Sequence, residues 1–216
     1  MKLGKEAMEK LQAEITGRLS AGDDLVVAGT VALRGTVLIA QKESELLRNY
    51  FSEGFLYHCV RLEEEYGITE RTAKSTGKAH MEEIREMAGS AGASALYAMG
   101  EGGILSALWK MAEASQTGLT ADLRRIPIRQ ETIEICEHFD LNPYYLLSEG
   151  AVLIGIPRGE ALLQEFQKMG VPSAVIGRTT HGNDRILYSG ENLRYLDRPQ
   201  ADEICKMKWY TKIRQV

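Results

Sequence analysis

Ala95-Leu96-Tyr97-Ala98-Met99 runs into Gly100-Glu101-Gly102-Gly103 and then into Ile104-Leu105-Ser106-Ala107-Leu108-Trp109-Lys110-Met111-Ala112. Five apolar residues closed by glycine predict a short buried strand. Leu105, Leu108, Met111 and Ala112 then share one helical face, which predicts a helix over 104–115. Strand, glycine turn and helix together form the building unit of an α/β protein. Glycines let the backbone turn tightly there, and free N–H groups at the helix start can face an anion. The loop has no lysine, lacks the spacing of a Walker or dinucleotide motif and carries a negative Glu101. It is therefore either a phosphate contact or a tight turn that allows close packing.

Outward from this unit, helices and strands mix. Met8, Leu11, Ile15 and Leu19 predict one amphipathic helix over 1–20, and Leu25, Val26, Val27 and Ala28 predict a buried strand bounded by Gly29. Apolar residues at three- and four-residue intervals predict helices over 36–50 and 52–66. The polar stretch 67–92 holds a short helix on Met81, Ile84 and Met87. Further strands are expected over 119–123, 151–156 and 174–176, with helices over 131–139 and 160–169 and a helical turn opened by Pro143. His181-Gly182-Asn183-Asp184 separates two strand-like runs and predicts a hairpin, continued as a meander through 185–188 and 193–196. Residues 206–216 are basic and expected to fray. The expected class is α/β or α+β, a mixed sheet covered by helices. The expected organisation is a helical extension (1–21), one compact domain (22–200) and a basic tail (201–216).

Charge and composition remove several classes of function. Lys and Arg total 26 against 30 for Asp and Glu, a net charge of −4 that offers nucleic acid no basic surface. The longest apolar runs, such as 151–156, fall far below the roughly 20 residues of a membrane span. The first 20 residues are charged rather than built like a secretory signal, so no membrane partner and a cytoplasmic location are expected. Cys59, Cys136 and Cys205 are odd in number and widely spaced, as reduced thiols would be. Cys136 with His138, and His58 with Cys59, diverge on a helix and cannot chelate as pairs, so no metal site is expected. Glu63-Glu64-Glu65 and Glu82-Glu83 fit solvated helix faces, and no GxSxG elbow occurs. The turn 29–35 offers the Thr30 hydroxyl and the Arg34 guanidinium for a phosphate or carboxylate, although Arg34 also suits a solvated loop. Trp209 with Lys206, Lys208, Lys212 and Arg214 suits a partner surface or a frayed end.

The ordered set of segments resembles one family. Gly22-Asp23-Asp24-Leu25-Val26-Val27-Ala28-Gly29-Thr30, the glycine loop with its helix, Ile126-Pro127-Ile128-Arg129, Leu141-Asn142-Pro143-Tyr144-Tyr145-Leu146-Leu147-Ser148-Glu149-Gly150 and Ala174-Val175-Ile176-Gly177 resemble the C-terminal domain of aminoimidazole ribonucleotide synthase-related proteins. The pattern is most similar to hydrogenase maturation factors of the HypE type, over roughly residues 22–200. The resemblance implies a three-layer α/β/α domain, partly ferredoxin-like, which in full-length relatives packs beside an N-terminal ATP-binding domain supplying the ATP and magnesium contacts. About 20 residues precede the matching region, so that domain is expected to be absent here, and no cofactor is specified for this chain. The relatives are usually dimers, which implies a homodimer or a protein partner and a small phosphorylated ligand. Thr30, Arg34, Gly100, Glu101, Gly102, Gly103 and Glu149 are then the expected ligand contacts. Cys205 stands near the terminal cysteine that carries a carbamoyl group in HypE-type proteins, but 11 residues follow it. Leu33 and Arg34 replace the family's usual acidic residue and histidine. The expected role is a small-ligand-binding or assembly module without its own ATP-binding half, or alternatively an ATP-dependent dehydratase or phosphoryl-transfer enzyme working with a partner.

Overall fold

The computed structural model describes residues 3–68 and 81–213, with side chains as far as Tyr210; the part of the polar stretch at 69–80 lies outside them. Helix α1 (Lys5–Ala13) and the two-residue strand β1 (Thr16–Gly17) lead to β2 (Asp24–Ala28), followed by α2 (Leu33–Lys42), α3 (Ser44–Leu47) and α4 (Glu53–Tyr66). Next come α5 (Met81–Ser90), β3 (Ala95–Ala98), α6 (Gly103–Ser115), β4 (Gly118–Asp122) and α7 (Gln130–His138). The chain continues through β5 (Val152–Ile156), α8 (Gly159–Lys168), β6 (Ser173–Thr180), β7 (Arg185–Ser189), β8 (Asn192–Tyr195) and α9 (Lys208–Ile213).

The strands form one mixed sheet in the order β1-β3-β5-β2-β6-β4-β7-β8. Neighbours are antiparallel except β4 and β7, which run parallel. Successive strand residues point to opposite faces, so a strand that is apolar throughout needs cover on both sides. Strand β2 is such a case. Leu25 and Val27 pack with Tyr97, Leu153 and the α6 residues Leu105, Leu108 and Met111. On the other face, Val26 and Ala28 pack with Ile84 of α5 and with Leu162 and Phe166 of α8. The result is the expected α/β/α layering. A third cluster joins Ile39 of α2, Cys59 of α4, Ile135 and Cys136 of α7, and Leu146, Ile204 and Met207.

Four local expectations change. The N-terminal helix stops at Ala13: Gly17 adopts φ 75°, and Thr16–Gly17 instead pairs with β3. Ile15 and Leu19 are still buried, through extended chain rather than helix. The helix expected over 36–50 is interrupted at Glu43 (φ −105°, ψ 18°), which separates α2 from α3. Strands β6 and β7 do not form a hairpin, because β4 lies between them. The 181–184 loop wraps the start of β4, where the Leu119 N–H donates to the Asp184 carbonyl at 2.9 Å. A Cβ at Gly118 would lie 2.6 Å from that same carbonyl, so glycine is required for the wrap. A true hairpin joins β7 and β8. Finally, the start of the expected tail is folded, with a 3-10 turn over Glu203–Lys206 and then α9, and its Ile204 and Met207 are buried.

The sheet is covered unevenly. All four residues of β8 are exposed, and Leu193 and Tyr195 present large apolar side chains at 55% and 62% exposure. Phe166→Ala should therefore cost about 3–5 kcal/mol in chemical denaturation, whereas Leu193→Ala should stay within about 0.5 kcal/mol. A similar loss in both variants would contradict this asymmetry.

Candidate functional site

The glycine loop is built for close approach. Gly102 and Gly103 adopt φ 78° and 60°, so side chains there would be strained. A Cβ on Gly103 would also lie 2.5 Å from the Tyr144 carbonyl oxygen. These two residues open α6, where an unpaired N–H attracts negative charge. The anion at that position belongs to the chain itself. The Gly102 N–H donates to Asp202 Oδ2 at 2.6 Å, while the N–H groups of Leu147 and Ile204 donate to Oδ1 at 3.2 and 2.9 Å. Burial pushes the Asp202 carboxyl above its ordinary value and nearby Glu203 adds to the rise, while the three backbone donors oppose it.

Ser148 ties this loop to the turn after β2. Its Oγ accepts from the Ala32 N–H at 2.9 Å and donates to the Leu146 carbonyl at 2.8 Å, and its N–H donates to the Gly100 carbonyl at 3.1 Å. Ala32 sits at φ 62°, a left-handed conformation costly for a residue with a side chain. Such strain concentrates where a loop geometry is needed for function. Arg34 follows on the first turn of α2. Its guanidinium meets Glu63 Oε2 at 2.9 Å and lies 3.7 Å from Glu149 Oε2. Both pairs are partly exposed, which limits each to under about 1 kcal/mol.

The C-terminal segment lies over this junction. The Tyr210 hydroxyl donates to Glu101 Oε1 at 3.5 Å. Burial raises the phenol pKa, as do the fields of Asp202, Cys205 and Glu149, while Arg34 opposes them. The structure thus brings Arg34, Glu101, Glu149 and Cys205 near one tyrosine, while Gly100, Gly102 and Gly103 form the turn that opens α6. Thr30 is 2% exposed under the β2–α2 turn, with no open surface for a ligand. Asp202, Ser148 and Tyr210 were missed by the sequence analysis. Asp202 has a local signature, a helix-capping aspartate two residues before Ile204, but its bonds to Gly102 and Leu147 have none.

The thiols are quiet. Burial pushes Cys59 and Cys136 up to about 12, and it also raises Cys205, with Asp202 adding to that rise. A raised thiol pKa leaves less thiolate, the nucleophilic form. His138 packs against Tyr50, Phe51 and Phe139. Among the described residues no three His, Cys, Asp or Glu side chains converge as metal ligands would. The Gly102 amide of the loop is already engaged by a carboxylate of the chain itself.

Asp202 makes a pH prediction with a defined sign. Its folded pKa lies above its ordinary value, so between the two the native chain holds more protons than the unfolded one. Unfolding free energy should then fall as pH rises through that acidic window. Asp202→Asn should flatten this slope in urea titrations across the window; an unchanged slope would remove Asp202 as its source. Gly102→Ala, which places a methyl against Ser106 at positive φ, should cost about 1–3 kcal/mol.

Comparison with known proteins agrees with this fold. The family described as AIR synthase related protein, C-terminal domain, matches residues 20–189. Carbamoyl dehydratase HypE of Rhodobacter capsulatus is 30% identical over 96 residues, which is 43% of this chain and 28% of that protein. The crystal structure of E. coli HypE, a hydrogenase maturation protein, superposes with a TM-score of 0.65 at 21% identity, covering 87% of this chain and 54% of that one. A chain of the HypE-HypF complex gives a TM-score of 0.61 at 19% identity, with 84% of this chain and 54% of that one covered. The chain thus spans about half the length of these solved relatives. With residues 20–189 matched, this chain belongs to the family described as AIR synthase related protein, C-terminal domain, and in fold it is similar to HypE.

Proposed function

We propose that this domain is a hydrogenase maturation factor-like module that binds a small ligand or assembles with a protein partner, rather than catalysing a reaction by itself. One observation carries the proposal: the anion position of the glycine loop is filled by the carboxylate of Asp202. A loop that retains its glycines yet holds an internal carboxylate keeps the family's architecture while competing with an incoming phosphate. The raised pKa of Cys205 supports the same conclusion, since a protonated thiol is a poor acceptor for group transfer. The partner in view carries an ATP-binding domain; HypE, which this domain resembles in fold, has been solved in complex with ATP. The HypE-HypF complex is a precedent for protein partners in that relative.

Arg34 favours a second proposal, an ATP-dependent dehydratase or phosphoryl-transfer activity shared with such a partner. Its partly exposed guanidinium sits above the strained turn, between two carboxylates that an entering phosphate could displace.

Calorimetric titration of magnesium-ATP and magnesium-ADP into the chain alone, with light scattering on the same sample, tests the first proposal. The expected result is no nucleotide heat at micromolar to millimolar concentrations, together with a dimer or with complex formation on adding a separately expressed ATP-binding domain from a HypE relative. Tight nucleotide binding by the isolated chain, lost in Arg34→Met, would overturn it in favour of the enzyme. A monomer that binds neither nucleotide nor that domain would overturn both.

A further inference from the structure

One concavity shares no lining residue with the glycine-loop site. It is a groove of about 900 Å³ between α1, the C-terminal end of α6, the loop before β7 and the chain leaving β8. A volume of this order suits a small organic molecule. Its central feature is Arg185, whose side chain is 11% exposed. The guanidinium lies 5.1 Å from the Trp109 ring centroid and bonds Glu113 Oε2 at 2.6 Å through Nη2. Its Nε is buried and has no partner. A buried donor left unpaired is costly, and such groups in native proteins call for an explanation.

The charges around the groove are cationic in excess. Lys5, Arg185 and Arg198 line it against Glu113 and Asp184, in a chain whose net charge is −4. Concentrating cations in a concave surface focuses a positive field on whatever enters. The remaining walls include Leu3, Met8, Leu196 and the Trp109 indole, which favour a flat hydrocarbon body. We propose that this groove binds a small organic anion, a carboxylate or phosphate ester on a flat apolar body, with the anionic group toward Lys5, Arg185 and Arg198. Glu113 holds the guanidinium against the indole, so the cation is fixed before the ligand arrives.

The probe is 2-naphthyl phosphate, with neutral 2-naphthol and inorganic phosphate as comparison arms, followed by calorimetry and by amide and indole NMR shifts on the full chain. Trp209→Phe identifies the Trp109 indole signal. Expected are shifts at Trp109 and at residues 182–185 and 195–198, with binding at least about tenfold tighter than that of 2-naphthol or phosphate. The Lys5→Gln and Arg198→Gln double variant, which leaves the buried Arg185–Glu113 pair intact, should weaken naphthyl phosphate about fivefold or more. The proposal fails if 2-naphthol binds as well as its phosphate, if the shifts fall on the glycine loop instead, if the double variant binds unchanged, or if no probe binds at millimolar concentration.

Discussion

A single buried carboxylate holds the glycine-loop end of this domain together. Asp202 accepts from three backbone N–H groups drawn from the glycine loop, the 146–148 segment and its own turn. Hydrogen bonds to a charged acceptor are stronger than neutral ones, and leaving those donors unpaired in the interior would be costly. Ser148 extends the same junction to the turn after β2. The glycine loop, the strained Ala32 turn and the C-terminal segment are therefore one connected structure. An incoming anion at Gly102 would have to displace Asp202, and the displaced segment carries Cys205 and Tyr210 with it.

The two halves of the sheet have different duties. Strands β3, β5 and β2 are covered on both faces and supply the rigid base from which the glycine loop and the β2–α2 turn project. The β7–β8 half keeps an exposed edge with Leu193 and Tyr195 in solvent, and the cationic groove opens beside it. An edge strand of that kind offers unpaired backbone groups to a neighbour. Strand β4, inserted between β6 and β7, brings Arg185 next to α6 and so sets Arg185 against Trp109 and Glu113.

Much of the architecture was legible because its causes are local. The continuous apolar run of β2 demanded cover on both faces, and the face of Leu105, Leu108 and Met111 required a helix against a sheet. The glycine loop was legible as a turn, since Gly102 and Gly103 do adopt positive φ. Strand partners were less legible. The Gly182-Asn183 signal suggested a hairpin, but alternation within a strand says which face is buried and not which strand lies alongside. Likewise, the stripe of Met8, Leu11, Ile15 and Leu19 correctly marked residues facing the core, while Gly17 and the pairing of Thr16 with Leu96 decided that only its first part is helical.

The sequence by itself determined the strands, helices and loops that carry Arg34 and Gly102, because periodicity and glycine placement act over a few residues, and its family resemblance implied the layering. Only the tertiary structure decided what those loops contain. Asp202 reaches Gly102 across 100 positions of chain, and Arg185 reaches Glu113 across 72. Neither contact has a local propensity to betray it. Each depends on desolvation, which makes a buried charge seek whatever donors or counter-charge the completed fold brings near.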